Sequence, residues 1–281
     1  MENRSGYYKV SLAAILWGTI GIFTRWSGLP PLELAFYRVL IAGLALFFIL
    51  PRGERLLIIH TRHSLLILLA GILFAIDILL FFYSIKLTSL SNAALPYNMQ
   101  PVFMALLARL LLNEEMQARH IVSFIFAMVG VGVLLTPSLI SISYADIAGI
   151  CCALTGALLL AIIAIIARKI NVESITFVYY QMLVATICLL PFVSITNVLD
   201  ININTSVIIL IIALVHTALA YILYYDGLKI IKIEHVVVLT YFTPLAAALT
   251  GSFLFQEAIT LYTVVGGLII ITNGTMAVLK R

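Results

Sequence analysis

An acidic side chain stands inside one of the most apolar stretches of this sequence. Asp77 lies within GILFAIDILLFF, with hydrophobic residues on both sides. A charge at the centre of a bilayer costs about 2.5–3.5 kcal/mol on insertion scales, so it usually faces a partner or a wet cavity. Asp77 is interpreted either as a substrate-amine ligand or proton carrier, or as half of an ion pair with Arg38. Arg38 lies in the preceding apolar stretch, where its long side chain could also extend to the membrane interface.

A histidine lies near the middle of a later apolar stretch, close to the place that Asp77 has in the first half of the chain. This residue is His216. Imidazole changes its charge near neutral pH, which suits a residue that passes on protons. A hydrogen bond to a neighbouring helix would explain the histidine equally well, and both interpretations stay open.

Two prolines, Pro101 and Pro244, interrupt apolar stretches at positions 143 residues apart. Each proline removes a backbone donor and clashes with the carbonyl four residues earlier, which kinks a helix and frees carbonyl groups. Polar side chains precede both prolines: Tyr97, Asn98 and Gln100 in one stretch, and Tyr241 and Thr243 in the other. Interrupted helices often form the sites of membrane carriers, so these side chains are candidate substrate ligands. The alternative is a packing kink whose carbonyls are satisfied by nearby hydroxyls.

Aromatic side chains offer further candidates. Trp17 lies near the middle of the first apolar stretch and forms either a wall of a binding cavity or ordinary helix packing. Tyr221, Tyr224 and Tyr225 come at the end of the stretch that contains His216. This position is typical of the aromatic belt at a membrane interface.

Motifs for other kinds of chemistry are missing from the sequence. Cys151, Cys152 and Cys188 lie in apolar stretches without C-x-x-C spacing, which indicates neither a metal site nor a disulfide framework. The sequence contains no H-E-x-x-H, no G-x-S-x-G and no G-x-x-x-x-G-K-[ST] motif. We therefore expect no metal, no cofactor and no ATP-driven step.

The composition excludes a water-soluble globule. Of the 281 residues, 63% are hydrophobic and only 10% are charged, whereas a soluble domain has about 25% charged residues. The mean hydropathy is +1.18. Basic residues are scattered, without the basic patch that would indicate nucleic acid as a partner. The chain is predicted to be an integral membrane protein.

Ten apolar stretches are long enough to cross the hydrocarbon core, which takes about 20 residues of helix. The predicted spans are 7–25, 31–50, 64–85, 91–111, 119–136, 146–167, 174–193, 206–226, 234–255 and 260–278. These stretches do not alternate as barrel strands do, and only helices satisfy their own backbone groups in lipid. The predicted fold is an all-α bundle of ten transmembrane helices.

The positions of lysine and arginine predict how the chain is threaded. If the N-terminus is inside, thirteen of the sixteen basic residues fall on the cytoplasmic side. The exceptions are Arg25, Arg38 and Lys86. Such a bias is the usual sign of cytoplasmic loops, so both termini are expected in the cytoplasm.

The second half of the sequence repeats the first at an offset of 143 residues. Lys86, Pro101 and Glu114 in the first half correspond to Lys229, Pro244 and Glu257 in the second. The predicted units are residues 1–140 and 141–281, each with five spans. Because five is odd, the second unit must enter the membrane upside down. Inverted repeats are typical of carriers whose halves rock about a site near the midplane.

The motifs and their duplication resemble one known family of carriers. They comprise Leu16-Trp17-Gly18, Ser91-Asn92-Ala93-Ala94-Leu95, Gln100-Pro101-Val102-Phe103, Leu112-Asn113-Glu114-Glu115 and the later Thr243-Pro244-Leu245-Ala246. Across nearly the whole chain the pattern is similar to the EamA-type ten-helix carriers of the drug/metabolite transporter superfamily. The resemblance implies an inverted-repeat bundle that moves small organic metabolites, often outward.

These observations together predict a secondary transporter in the cytoplasmic membrane. Its expected substrate is a small polar or zwitterionic metabolite, such as an amino acid, since a buried acid and aromatic residues would bind an amine and an apolar group. Proton coupling is a further hypothesis, and the protein is expected to be a monomer or a homodimer in lipid. One alternative is an enzyme that acts on a lipid-linked substrate, but the sequence shows no catalytic cluster. The other is a channel, but the sequence shows no filter loop.

Overall fold

The computed structural model describes a helical protein. It covers residues 4–51, 63–87, 96–113, 144–193 and 202–255, together with residues 122, 125–126, 128–130, 133, 261, 264–269 and 272. Within these residues the regular structure is entirely helical.

Seven helices among the described residues are long and apolar enough to cross a membrane. They are Arg4–Ser27, Pro31–Ile49, Ser64–Ser84, Ile147–Lys169, Ser174–Phe192, Ile203–Ile230 and Ile233–Leu254. They match the predicted first, second, third, sixth, seventh, eighth and ninth spans, and the shorter apolar helix Gln100–Leu112 lies in the fourth. The predicted fifth and tenth spans fall mostly outside the described residues. The prediction of an all-helical membrane protein is confirmed.

The main helix contacts run between the two halves of the chain. The first span packs on the eighth and ninth, and the sixth span packs on the third and fourth. The second span packs on the seventh and eighth, the third also packs on the seventh, and the fourth packs on the ninth. Each of these contacts has an equivalent in which both spans are replaced by their counterparts in the other half. For example, the contact of the first span with the eighth corresponds to that of the sixth with the third. The helices therefore interdigitate as expected for two equivalent halves around a common centre.

Small residues allow the closest of these contacts. A Cβ atom on Gly18, in the first span, would lie 2.5 Å from the carbonyl oxygen of Thr243 in the ninth. A Cβ atom on Gly227, in the eighth span, would lie 2.8 Å from the carbonyl oxygen of Gly6. The backbones of these helices can approach so closely only because no side chain intervenes.

Three of the spans depart from a regular α-helix. The fourth turns at Asn98 and Met99 before the helix resumes at Gln100, and the ninth is interrupted at Tyr241. Both interruptions lie two to three residues before the prolines at 101 and 244, where a proline ring excludes a regular turn. In the eighth span, Ile212–Leu219 forms a π-helix between two α-helical segments. A π-helical stretch is rare and is often found at functional sites.

Candidate functional site

The buried acid of the third span has one hydroxyl partner. Asp77 is 1% exposed, and the Tyr97 hydroxyl lies 3.1 Å from each of its carboxylate oxygens. The phenol donates and the carboxylate accepts. A carboxylate has about four acceptor positions, so a single hydroxyl leaves capacity for another donor. Asp77 is thus placed and oriented while remaining able to bind a further cationic or N–H group.

One of the two interpretations of Asp77, an ion pair with Arg38, is not found. The structure describes both residues, and no nitrogen–oxygen pair within 4.0 Å joins them. Arg38 is half-buried, and its Nε atom has no hydrogen-bond partner among the described residues. Its positive charge still influences Asp77 electrostatically. The second and third spans, which contact each other, thus carry opposite charges without a direct ion pair.

Arg38 also acts electrostatically on the surrounding polar groups of other spans. These groups are Tyr97 in the fourth span, and His216 and Tyr221 in the eighth. Arg38 thus influences three of the other residues singled out in the sequence: Asp77, Tyr97 and His216. A guanidinium that lacks a carboxylate contact among such groups can bind an anionic group.

Aromatic rings form a wall beside these charges. The Trp17 ring centroid lies 5.0 Å from that of Tyr221 and 5.1 Å from that of Tyr224. Phe74, one turn before Asp77, meets Tyr221 edge-on at 5.3 Å. The structure places the Trp17 ring against two tyrosines of the eighth span, beside the polar region.

The interpretation of the three tyrosines as an interfacial belt is wrong. Tyr224 and Tyr225 are 3% and 2% exposed, and the Tyr225 ring contacts the rings of both Tyr221 and Tyr224. Their spacing of three and four residues was the signal in the sequence, because it places them on one face of a helix. The Tyr224 hydroxyl donates to Met104 Sδ over 3.4 Å, and the Gln100 side chain interacts with the same hydroxyl.

The histidine of the eighth span is held by the first span. His216 is 3% exposed, and its Nε2 atom lies 3.0 Å from the hydroxyl oxygen of Thr19. The Thr19 hydroxyl also lies 2.8 Å from the carbonyl oxygen of Leu16, and His216 Nδ1 lies 3.5 Å from the carbonyl oxygen of Ile211. The ring also packs on Phe23 at 4.8 Å. Among the described residues, no hydrogen bond or ion pair joins His216 to Asp77.

The remaining polar candidates lie at the helix interruptions. Asn98 lies in the turn that separates Tyr97 from Gln100. Tyr241 is 1% exposed in the break of the ninth span, and the carbonyl of Thr243 faces Gly18 of the first. Tyr241 and Thr243 both belong to the ninth span, which packs on the first and fourth spans.

A second group of polar contacts closes one end of the bundle. Lys9 in the first span forms an ion pair with Asp226 in the eighth, with Nζ 2.7 Å from Oδ2. Arg168, at the end of the sixth span, donates to the carbonyls of Leu228 and Ile231. These carbonyls belong to the last turn of the eighth span and the link after it, where a helix leaves acceptors without intrahelical partners. The contacts tie the first, sixth and eighth spans together at this end of the bundle.

Comparison with known proteins identifies relatives along the whole chain. Residues 4–136 and 147–278 each match the EamA-like transporter family. The chain is 24% identical to the "Uncharacterized transporter YxxF" of Bacillus subtilis (strain 168), over 100% of this chain and 91% of the relative. It is 26% identical to an "Uncharacterized transporter" of Archaeoglobus fulgidus, over 98% of this chain and 96% of the relative. A solved crystal structure with 18% identity superposes at a TM-score of 0.84 over the full length of both chains, which shows a shared fold.

Proposed function

Because the chain belongs to the EamA-like transporter family, we propose that it moves a small zwitterionic metabolite of the amino-acid type across the cell membrane. The observation that carries this proposal is the separation of Arg38 from Asp77. Two opposite charges that share a site without contact suit a ligand that carries both charges. A ligand with only one charge would leave the other protein charge uncompensated, which is costly in a site of low polarity.

Asp77 would bind the ammonium group of the substrate. Its carboxylate accepts one bond from Tyr97, and a charge-assisted bond to an ammonium group would be among the stronger interactions available to it. The Tyr97 hydroxyl fixes the carboxylate, so less ordering is needed when the substrate binds. Asp77 would therefore give affinity for amines.

Arg38 would bind the substrate carboxylate. A guanidinium presents two parallel N–H groups to a carboxylate, a geometry that lysine lacks. The through-space effect of Arg38 on Asp77 and Tyr221 supports its position between the acid and the aromatic wall. The side chain of the substrate would then lie against Trp17 and Tyr221, whose ring centroids are 5.0 Å apart.

Alternating access would follow from the two halves of the chain, taken as residues 1–140 and 141–281. The end closed by Lys9 and Asp226 is a contact between the halves, and it would have to open once in each transport cycle. The interruptions before Pro101 and Pro244 would let the fourth and ninth spans bend as the halves rock. With both termini in the cytoplasm, the closed end would be the cytoplasmic one.

Proton coupling would use the same acid. A carboxylate that binds either a proton or a substrate amine, but not both, links the movement of one to the movement of the other. His216 would modulate this exchange from the eighth span, where its Nε2 atom bonds to Thr19. Arg38 is the charged group that acts on both His216 and Asp77.

The binding test uses three ligands that share one phenyl group and differ in their charges: L-phenylalanine, phenethylamine and 3-phenylpropanoate. Trp17 and Trp26 are the two tryptophans, so Trp26→Phe leaves Trp17 as a fluorescent reporter within the proposed site. We expect the amino acid to quench Trp17 fluorescence at lower concentration than either single-charge ligand. Equal affinity for phenethylamine and phenylalanine would contradict the role of Arg38.

The transport test uses purified protein in proteoliposomes. Saturable counterflow of labelled L-phenylalanine and other zwitterionic amino acids is expected for a carrier. Flux that stays proportional to concentration would indicate a channel instead, and conversion of an added lipid-linked substrate would indicate an enzyme. Failure of every zwitterion tested to exchange would contradict the proposed substrate class.

A further inference from the structure

A glycine of the sixth span lies directly against the acid of the third. Gly156 is buried, and a Cβ atom at this position would lie 2.8 Å from Asp77 Oδ1. The same atom would lie 3.2 Å from Cε2 of the Tyr97 ring. The backbone of the sixth span therefore touches both members of the hydrogen-bonded pair at once, which no larger residue at position 156 would allow.

Neither neighbour can move away at low cost. The Asp77 side chain is short and 1% exposed, and both of its oxygens lie 3.1 Å from the Tyr97 hydroxyl. The Tyr97 ring is itself packed on Phe81, with centroids 4.6 Å apart. A methyl group on residue 156 would therefore displace the carboxylate, the ring or the sixth helix.

The contact closes one side of the carboxylate. Backbone at Gly156 covers the Oδ1 side of Asp77, and the Tyr97 hydroxyl lies 3.1 Å from both carboxylate oxygens. A donor from a ligand has to reach the carboxylate from a side that neither of these groups occupies.

We propose that Gly156 is a positioning residue of the transport site, which holds the Tyr97 hydroxyl on Asp77 and keeps an ammonium group from approaching the Oδ1 side of the carboxylate. That the approaching group is the ammonium of a substrate rests on the proposed function. The positioning of Asp77 itself does not.

The first experiment needs no substrate. Dicyclohexylcarbodiimide couples to carboxyl groups inside membranes, and mass spectrometry measures its reaction at Asp77, with Asp77→Asn as the blank. We expect faster labelling in Gly156→Ala, because the added methyl group separates the carboxylate from the Tyr97 hydroxyl. Tyr97→Phe should accelerate labelling by a similar factor, and the double variant should add little, since both changes remove the same bond.

A second glycine gives the matched control. Gly71 lies in the third span with Asp77, and a Cβ atom there would lie 2.5 Å from Cβ of Val184 in the seventh. Gly71→Ala therefore strains helix packing without touching the site. It should leave labelling of Asp77 at the wild-type rate and combine additively with Tyr97→Phe. Equal acceleration by Gly71→Ala and Gly156→Ala would overturn the proposal, because both would then act through general loosening of the bundle.

The substrate role is tested by transport of L-phenylalanine. Gly156→Ala should raise KM for L-phenylalanine roughly tenfold, the size expected for a weakened bond to a charged group, with a smaller change in kcat. An unchanged KM together with faster labelling of Asp77 would overturn the role of Gly156 in substrate binding. Altered labelling together with no transport of any amino acid would instead contradict the proposed function and leave the positioning role intact.

If Gly156→Ala does not yield folded protein, the contact is tested by folding itself. Adding Asp77→Ala removes the oxygen that the new methyl group would meet at 2.8 Å. Recovery of folded protein in this double variant, but not in Gly71→Ala with Asp77→Ala, supports the proposal. Absence of recovery would overturn it.

Discussion

Equivalent positions in the two halves of the chain carry a charged side chain in the first half and an uncharged one in the second. Arg38 in the second span and Gln181 in the seventh stand 143 residues apart, as the repeat requires. Arg38 is half-buried with an unbonded Nε atom, whereas Gln181 is 0% exposed and accepts a bond of 3.2 Å from the Tyr225 hydroxyl. Asp77 corresponds in the same way to Ala220, which is a fully buried core residue.

The difference shows that the repeat preserves helix packing and not chemistry. Both halves make equivalent helix contacts, but the counterparts of Asp77 and Arg38 in the second half are the uncharged Ala220 and Gln181. A charge inside a membrane protein is costly unless it is paired or used. In the proposed site, the first half supplies Asp77 and Arg38, and the second half supplies His216 and the tyrosines.

The largest expected effect comes from making the acid of the first half neutral. Asp77→Asn keeps an oxygen for the Tyr97 hydroxyl but removes the negative charge that would bind an ammonium group. Binding of L-phenylalanine, followed by Trp17 fluorescence, should weaken roughly 100-fold, as expected for loss of one partner of a buried charge pair. Any remaining counterflow should lose its pH dependence. An unchanged rate and pH profile in the purified variant would refute the role of Asp77.

A second change gives the second span the residue that the seventh span has at the equivalent position. Arg38→Gln places in the second span the residue that the seventh already has. Affinity for L-phenylalanine should fall roughly tenfold, which corresponds to one lost charged hydrogen bond, while affinity for phenethylamine should not fall. Arg38→Lys should recover only part of the loss because lysine cannot bind a carboxylate with two parallel bonds. Equal loss for both ligands would indicate that Arg38 serves folding.

Removing the interruption of the ninth span should change the rate of substrate exchange. Pro244→Ala restores a backbone donor and removes the ring clash, so the helix should straighten. Exchange across the membrane should slow severalfold, while equilibrium binding of L-phenylalanine changes little. Pro101→Ala tests the equivalent position of the first half. If exchange in both variants equals that of the wild type, the interruptions serve packing.

Changes to the ion pair at the closed end of the bundle should have a smaller effect on the exchange rate. Lys9 and Asp226 are 32% and 35% exposed in their side chains, so breaking this ion pair should change the exchange rate only about two- to threefold. Lys9→Met should favour the state in which this end is open. Reversal of both charges, Lys9→Asp with Asp226→Lys, should restore the wild-type rate. Failure of the reversed pair to do so would show that the ion pair itself does not control opening.

The smallest effect on substrate affinity is expected from a change at Gln181, the neutral counterpart of Arg38. Gln181→Leu leaves the Tyr225 hydroxyl buried without its acceptor, which should lower thermal stability. The affinity for L-phenylalanine should stay within about twofold of the wild type, since a residue outside the site is removed. A loss as large as that of Arg38→Gln would mean that both halves bind the substrate directly.

Several features of the fold could be predicted from the sequence because lipid imposes them. A stretch such as the one around Asp77 must cross the membrane as a helix, since no other single segment satisfies its backbone there. The proline positions also indicated where the fourth and ninth spans are interrupted, because the effect of a proline on a helix is local.

The contacts of the site could not be predicted in the same way. The spans are apolar on all sides, so periodicity does not show which face of each helix meets another. For this reason the sequence left open whether Asp77 pairs with Arg38, and it did not indicate the bond from the Tyr97 hydroxyl that the structure shows. The π-helix that contains His216 had no signal in the sequence.

The sequence by itself determined that this protein is an all-helical membrane transporter built from a repeated unit, because hydrophobicity and chain length decide which segments enter lipid. Only the tertiary structure decided which polar groups share the site. The rotation of each helix and the closeness of its contacts are set by side-chain packing between segments far apart in the chain. Gly156 illustrates this, since an ordinary small residue in the sequence becomes the surface against which Asp77 and Tyr97 are held.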